Sequence, residues 1–246
     1  MTTLLVIAKQ PLPGRVKTRL TPPFTPAEAA FLAEAALADT LMAAARVPAD
    51  RHVLVLDGEP GPWLPPGFVV VPQAKGGLDV RLAAAFAACD GPALLIGMDT
   101  PQITPELLAP ALRGDGHDAW FGPAADGGFW ALGLAVPDPA LLLGVPMSRP
   151  DTGAVQYDRL RAAGLRIGTL SVLRDVDTAE DARRVAASAP GTRFATLYRE
   201  LTTAGARAGT GMQPGAGPRA GAGMRRGAGT SASTAPGTST APGAVA

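Results

Sequence analysis

The sequence has little cysteine and little histidine. Of its 246 residues, one is a cysteine, Cys89, and two are histidines, His52 and His117. A single cysteine excludes an internal disulfide. The two histidines are far apart in sequence and neither stands in an H-x-x-H or C-x-x-C context, which argues against a zinc site or a histidine-based triad. Cys89 ends an alanine-rich helical run, where a buried core thiol is more typical than a nucleophile. Any chemistry therefore rests on carboxylates, lysines and arginines.

Long apolar runs and an excess of one charge are also missing. No apolar run approaches the ~20 residues that a membrane-spanning helix needs, and the chain enters a strand at once, without a charged leader or cleavage site. We therefore expect a cytoplasmic protein. The 22 Lys and Arg residues nearly balance the 21 Asp and Glu residues, for a formal charge of +1. This balance argues against a nucleic-acid or membrane surface and favours a small anionic partner.

What the sequence does contain is typical of one globular domain with a well-filled core: 47% of its residues are hydrophobic and 17% are charged. Strand patterns alternate with helix patterns, which predicts an α/β fold. The predicted strands are 4–8, 52–56, 68–71, 92–98, 118–123, 128–135 and 165–173, and the predicted helices are 25–45, 78–89, 104–113, 151–163, 179–187 and 193–201. The run 92–98 lacks alternation, which predicts a central strand buried on both faces.

The last part of the chain has a different composition. Residues 203–246 are almost entirely Ala, Gly, Thr, Ser and Pro, with no periodic apolar face. Such a segment can bury too little to offset its chain entropy. We therefore divide the chain into a folded domain, 1–201, and a disordered tail, 202–246. Arginines at 207, 219, 225 and 226 could touch a polyanion, but a non-functional extension is the favoured interpretation.

A basic loop follows the first predicted strand. Within eleven residues it holds two prolines, one glycine and four cations, namely Lys9, Arg15, Lys17 and Arg19. The carboxyl ends of parallel strands are where ligands bind, and clustered cations repel one another unless something negative offsets them. Gly14 would let main-chain N–H groups approach the same anion. The loop predicts a phosphate site, and a solvated surface loop is the alternative. Val16 stands where a Walker A loop has glycine, which excludes that motif.

A second candidate corner follows the third predicted strand. Gln73 begins a turn with two glycines, and Asp79 and Arg81 lie near the start of the next helix. Charges at a helix amino end suit a binding corner, although a plain surface pair is equally consistent with this pattern.

Three carboxylates follow other strands. Asp99 comes after the central strand, and Asp126 stands before glycine in a turn, where it is either a turn residue or a base. Thr178 with Asp181 predicts a helix cap, which leaves Asp177 free to face the site, with a mere loop carboxylate as the alternative. Carboxylate oxygens suit Mg²⁺ or Mn²⁺. Without metal we expect Asp99 and Asp177 to repel each other, so that Asp→Asn changes would leave stability equal or slightly raised.

Four ordered motifs carry a family resemblance. They are AKQPLPGRVKTRL at 8–20, IGMDTP at 96–101, GPAADGGFWALGL at 122–134 and DVDT at 175–178. Over residues 1–201 the sequence resembles a bacterial glycosyltransferase-A-like family related to phospholactate and molybdenum-cofactor guanylyltransferases. The resemblance implies a Rossmann-like nucleotide-diphospho-sugar transferase fold with a mostly parallel sheet and helices on both faces. It also implies that Lys17 and its loop, with Ala8, face the phosphates.

By the same resemblance, Asp99 takes the place of the metal-binding aspartate at the end of the central strand and Asp177 is its partner. The usual Asp-x-Asp motif is reduced here to Gly97-Met98-Asp99. The implied partners are a nucleoside triphosphate or nucleotide sugar and a small acceptor.

The implied activity is a metal-dependent transfer from a nucleotide-activated donor. Glycosyl transfer from a nucleotide-diphospho-sugar, with Asp126 as base if configuration inverts, is favoured slightly by the family's common assignment. Nucleotidyl transfer needs only positioning and charge stabilisation and is the first alternative. A nucleotide-sensing module without catalysis is the second.

Overall fold

The computed structural model describes residues 1–113 and 115–210. The described chain alternates strands and helices in the predicted order. The strands are β1 Thr3–Lys9, β2 Arg51–Asp57, β3 Phe68–Pro72, β4 Ala93–Ile96, β5 Ala119–Pro123, β6 Phe129–Leu134 and β7 Ile167–Thr169. The helices are α1 Pro26–Ala44, α2 Leu78–Ala87, α3 Pro105–Arg113, α4 Thr152–Ala162, α5 Ala179–Ser188 and α6 Arg193–Thr210, with short 3₁₀ turns at Thr18–Leu20 and Pro139–Leu141.

The seven strands form one mixed, mostly parallel sheet in the order β3-β2-β1-β4-β6-β5-β7. Strand β6 runs antiparallel to its neighbours β4 and β5. The carboxyl ends of β1, β2, β3 and β4 meet at one edge of the sheet, because these four strands are parallel. This arrangement confirms the predicted fold class, and it gathers the segments that follow these strands into one place.

Both faces of the sheet are covered, as the unbroken apolar runs predict. Alternate residues of β1 point to opposite faces: Leu4 packs with Leu37 of α1 on one side, and Leu5 packs with Leu82 and Phe86 of α2 on the other. Helix α6 extends the first layer by packing on α1, and α5 packs on α6, around a third cluster. The two sides fix β1 rigidly and thereby fix the start of the basic loop.

Two helices begin with the reciprocal caps that the sequence predicts. At α1, Thr25 and Glu28 bond each other's backbone N–H groups, with the Thr25 N–H donating to Glu28 Oε2 at 2.7 Å. At α5, Thr178 and Asp181 repeat the pattern at 3.0 Å. These caps use neighbours three residues apart, so sequence spacing alone specifies them.

The largest differences from the predicted element lengths are in β7 and α6. Strand β7 covers only 167–169 of the predicted 165–173, and its pairing with β5 ends at Phe121, two residues before Pro123, which cannot donate to a ladder. Helix α6 runs to Thr210 rather than 201, and the Thr202 and Thr203 hydroxyls donate to carbonyls of its preceding turn. The predicted tail is thus helical up to 210. Residues 211–246, with three of its four arginines, lie outside the described residues.

The helices of the described residues include none with the length and hydropathy needed to cross a membrane.

Candidate functional site

A cleft of about 640 Å³ opens at the carboxyl edge of the sheet. It is lined by the basic loop, the β3–α2 corner, the segment after β4, the β5–β6 turn and the segments before α4 and α5. Ten of the twelve predicted site residues line it: Ala8, Lys9, Arg15, Lys17, Arg19, Gln73, Arg81, Asp99, Asp126 and Asp177. Gly14 and Asp79 are not among the lining residues. Residues separated by up to 169 positions therefore share one concave surface, which is the usual form of a small-molecule site.

The floor of the cleft carries an ion pair between Lys17 and Asp99. The Lys17 ammonium donates to Asp99 Oδ2 at 2.6 Å, and the two side chains are only 12% and 27% exposed. Lys17 has left-handed backbone angles, φ 47° and ψ 39°, which a lysine rarely adopts and which the following turn stabilises through a Leu20 N–H bond to the Lys17 carbonyl. The sequence suggested that the cations of the loop lack partners until an anion binds. In the structure, a carboxylate of the same chain already offsets the charge of Lys17.

The electrostatic environment holds Lys17 charged. Burial alone would lower the pKa of the Lys17 ammonium, but the contact with Asp99 and the nearby carboxylates of Asp177 and Asp175 outweigh it and raise this pKa above its ordinary value. A charged ammonium at the floor of a cleft is suited to binding a phosphate oxygen.

Asp177 lies beside Asp99 because a backbone bond joins their segments. The Val176 N–H donates to the Asp99 carbonyl at 2.9 Å, and the buried Val176 side chain anchors this contact in the core. With Thr178 and Asp181 occupied by the cap, Asp177 is left to accept from Arg19 of the basic loop. Asp99 and Asp177, which the sequence proposed as partners, therefore lie on the two segments that this backbone hydrogen bond joins. Each of them is bound to a cation of the basic loop.

Asp175 is the residue that sequence reasoning missed. Its Oδ1 is buried and has no hydrogen-bond partner in the described structure. Burial, together with Asp99, Asp126 and Asp177, raises the pKa of the Asp175 carboxyl to about 8, although Lys17 opposes this shift. The signal was present in the Asp-Val-Asp spacing, because residues two apart in an extended segment point to the same side.

The carboxylates of the cleft have the type of donor atom that a divalent ion binds. Among the described residues, no three His, Cys, Asp or Glu side chains are grouped closely enough to form a cage. Mg²⁺ and Mn²⁺ do not require one, since they bind through one or two carboxylates and complete their shell with water and substrate oxygens. The hard oxygen donors of Asp99 and Asp177, with the orphaned oxygen of Asp175 beside them, fit such an ion.

The β3–α2 corner is held by a side-chain network. Gln73 Nε2 donates to the Ala8 carbonyl at 2.6 Å and to the Val55 carbonyl at 3.2 Å, and Gln73 Oε1 accepts from Arg81 Nη1 at 3.1 Å. Arg81 Nε also donates to the Gly76 carbonyl at 3.1 Å. The network links the ends of β1, β2 and β3 and fixes the guanidinium at the cleft wall.

The two predicted residues that do not line the cleft have other surroundings. Asp79 Oδ2 accepts from the Gly144 N–H at 3.0 Å, which ties α2 to the loop after the second 3₁₀ turn and lowers the pKa of the Asp79 carboxyl. Gly14 has φ +72°, a turn conformation that glycine adopts without strain.

Asp126 sits in the β5–β6 turn and closes the cleft on its far side. Its Oδ1 accepts from the Gly128 N–H at 2.9 Å, so the turn interpretation is correct, and its side chain also lines the cleft. The next residue, Gly127, has φ +92°, and a Cβ there would lie 1.9 Å from the Pro150 carbonyl oxygen. The segment before α4 therefore lies directly against this turn, with the Gly153 N–H donating to the Gly127 carbonyl at 2.8 Å.

One family model matches part of the chain. The model of a bacterial family described as "Uncharacterized protein conserved in bacteria (DUF2064)" matches residues 30–149. None of the curated proteins matches the sequence.

Several solved structures are similar to this chain, to different degrees. A candidate nucleotide-diphospho-sugar transferase from Desulfovibrio desulfuricans G20 is 27% identical, with a TM-score of 0.74, and the match covers 82% of this chain and 95% of that one. Rv0371c from Mycobacterium tuberculosis H37Rv, in complex with manganese, is 23% identical with a TM-score of 0.47, covering 75% and 96%. The 2-C-methyl-D-erythritol 4-phosphate cytidylyltransferase from Thermus thermophilus is 17% identical with a TM-score of 0.49, covering 77% and 100%. The first of these matches, with the family model, confirms the predicted resemblance and fold.

Proposed function

We propose, from the match of residues 30–149 to this bacterial family model, that the protein is a metal-dependent transferase that uses a nucleotide-activated donor. The activity we propose is glycosyl transfer from a nucleotide-diphospho-sugar to a small acceptor. One observation carries the proposal: Lys17 and Asp99 pair at the floor of a cleft that also holds Asp175 and Asp177. The similarity to the Desulfovibrio protein supports it.

In this proposal the basic loop holds the diphosphate. Lys17 contributes a buried, charged ammonium, and Arg19, Lys9 and Arg15 line the cleft around it. Charge-assisted bonds from these groups to phosphate oxygens would stabilise the negative charge that develops on the leaving nucleoside diphosphate. Asp99 and Asp177 would hold the divalent ion, which, when bound, supplies further positive charge to the diphosphate.

Asp126 is the proposed base. Its carboxylate is oriented by the Gly128 N–H and lies on the wall opposite the β3–α2 corner, where an acceptor could reach it. If the reaction inverts configuration, Asp126 would take the proton from the attacking hydroxyl of the acceptor.

Nucleotidyl transfer is the second candidate, and the same contacts support it. Lys17 and Arg19 are both bound to carboxylates at the floor of the cleft, and cations beside metal-type ligands suit a pyrophosphate leaving group as well as a nucleoside diphosphate. That reaction needs no protein nucleophile.

The leaving group separates the candidates. Purified protein with Mn²⁺, a set of nucleotide sugars and nucleoside triphosphates, and a mixture of small hydroxyl and phosphate acceptors would be assayed for nucleoside diphosphate and for pyrophosphate. Release of a nucleoside diphosphate supports glycosyl transfer, and release of pyrophosphate supports nucleotidyl transfer. Nucleotide binding without turnover would favour the sensing module, and the absence of any nucleotide binding would contradict all three.

A further inference from the structure

The side chain of Gln73 presents no free donor to the cleft. Both hydrogens of its amide nitrogen are used, on the Ala8 and Val55 carbonyls, and its oxygen accepts from Arg81. Gln73 therefore cannot read a ligand with its amide nitrogen. Its effect is to hold the Arg81 guanidinium in one place, so it is a positioning residue.

Arg81, by contrast, keeps donors to spare. A guanidinium has five N–H groups and no acceptor. Two of these groups are used, one from Nε to Gly76 and one from Nη1 to Gln73, so three N–H groups remain. Asp57 Oδ2 is 3.9 Å from Nη1, too far for a hydrogen bond, and Nη2 has no partner among the residues that the structure describes. The side chain is only 22% exposed, so these donors are held at the cleft wall by its burial.

Position indicates what these donors bind. The Gln73 amide lies over β1 and β2, whereas Asp99 follows β4 on the other side of β1. The guanidinium and the Lys17–Asp99 pair therefore line different parts of the same cleft. A nucleotide whose phosphates lie at Lys17 could extend its base towards Arg81. Beside Arg81, Leu78 lines the cleft although it is 37% exposed, and an exposed apolar side chain of this kind suits the flat face of a base.

We propose that Arg81, oriented by Gln73, reads the base of the nucleotide and selects an edge with two adjacent hydrogen-bond acceptors. The proposal rests on the proposed function and narrows its substrate class. Guanine has such an edge at O6 and N7, and cytosine has one at O2 and N3. Adenine and uracil alternate donors with acceptors, so a donor-only group matches one position and is repelled at the next.

The test measures affinity for four diphosphates that differ only in the base. Full-length protein with Mn²⁺ is titrated calorimetrically with GDP, CDP, ADP and UDP, and separately with pyrophosphate. We expect GDP or CDP to bind at least about tenfold more tightly than ADP and UDP. Arg81→Met keeps the apolar stem without donors, and it should reduce this preference to less than about threefold while leaving pyrophosphate affinity unchanged. Arg81→Lys, which keeps the charge without the fork, should do the same if the Met variant does not fold.

A matched control comes from the other side of the cleft. Arg15→Met removes a cation of the basic loop, so it should weaken all four diphosphates and pyrophosphate by a similar factor. Gln73→Met should reproduce the loss of base preference, again without a change in pyrophosphate affinity; a merely structural role would lower both together.

Two outcomes would overturn the inference while the proposed function stands: equal affinity of the unmodified protein for all four bases, or weaker pyrophosphate binding by Arg81→Met, which would make Arg81 a phosphate ligand. Failure to bind any of the four nucleotides would contradict the proposed function itself.

Discussion

Two ion pairs join strands at opposite edges of the sheet, and their surroundings differ. Asp118 and Arg166 precede β5 and β7 and make three hydrogen bonds of 2.9–3.1 Å at the protein surface, with side chains 37% and 70% exposed. Lys17 and Asp99 follow β1 and β4 and make one contact in a mostly buried setting. In the first pair both oxygens of the Asp118 carboxylate accept hydrogen bonds from Arg166, and these bonds lower the pKa of the Asp118 carboxyl to about 2.

The second pair is part of an uneven cluster. Lys17 has a left-handed backbone, and the adjacent Asp175 carboxyl has an unpartnered buried oxygen and a raised pKa. The comparison shows that burial decides what a charge contact indicates. An exposed pair ties two segments together, while a buried polar group that lacks a partner marks a place for a ligand.

The largest expected difference between the two edges is in stability. Asp99→Asn leaves the buried Lys17 ammonium without its counter-charge, which should lower the free energy of unfolding by about 2–4 kcal/mol. This reverses the sequence-based expectation of equal or raised stability, which overlooked Lys17. Urea unfolding at pH 7 in metal-free buffer measures it. Asp118→Asn, the same change at the exposed edge, is the control, and equal losses in the two variants would contradict the comparison.

Nucleotide affinity should distinguish the edges next. Under the proposed function, Lys17→Met removes a charge-assisted phosphate bond and should weaken binding of a nucleoside diphosphate by about ten- to a hundredfold, or roughly 1.5–3 kcal/mol. Because the change also strips Asp99 of its partner, circular dichroism must show that the variant is folded at the assay temperature. Arg166→Met removes the cation of the exposed pair and should leave the affinity for the nucleoside diphosphate unchanged in a calorimetric titration.

Asp175→Asn should raise the stability of the protein, and the size of the increase should depend on pH. Its carboxyl keeps a proton in the folded state up to about pH 8, whereas the unfolded chain releases it near 3.8. The free energy of unfolding therefore falls as pH rises through this window. Asp175→Asn removes the penalty, so the melting temperature of the metal-free protein should rise by about 2–4 °C at pH 8, for a gain of about 1 kcal/mol, and hardly at all at pH 4. A lower melting temperature at pH 8 would show that this carboxylate is stabilising.

Of these variants, a change in the exposed Asp118–Arg166 pair should have the smallest effect on stability. Asp118→Asn should change the melting temperature at pH 7 by less than about 2 °C, because exposed pairs contribute little. The folded-state pKa of Asp118 is lowered to about 2, so the pair's contribution is present above the unfolded pKa near 4 and is lost as pH falls towards 2. Thermal scans of both proteins from pH 7 to pH 2.5 should converge at the acid end.

The sequence predicted what local spacing determines. The two capping boxes, the order of strands and helices, and the position of Asp99 after a doubly buried strand all follow from patterns a few residues long. The placement of Asp177 outside α5 followed from recognising Thr178 as the cap.

What the sequence could not supply was which charges meet. Lys17 and Asp99 are 82 positions apart, and Arg19 and Asp177 are 158 apart; nothing in either segment specifies its partner. The contact of Asp79 with Gly144 could not be predicted for the same reason, because it spans 65 positions. Burial of the Asp175 oxygen likewise depends on three segments packing together. Long-range pairing of this kind is a property of the folded sheet edge and of no single stretch.

The contact between Gly127 and Pro150 sets a dimension. With no Cβ at position 127, the β5–β6 turn and the segment before α4 approach until backbone meets backbone. A single methyl group would push the two segments apart. Because both segments contribute residues to the wall of the cleft, we expect any larger side chain at this position to change the shape of that wall.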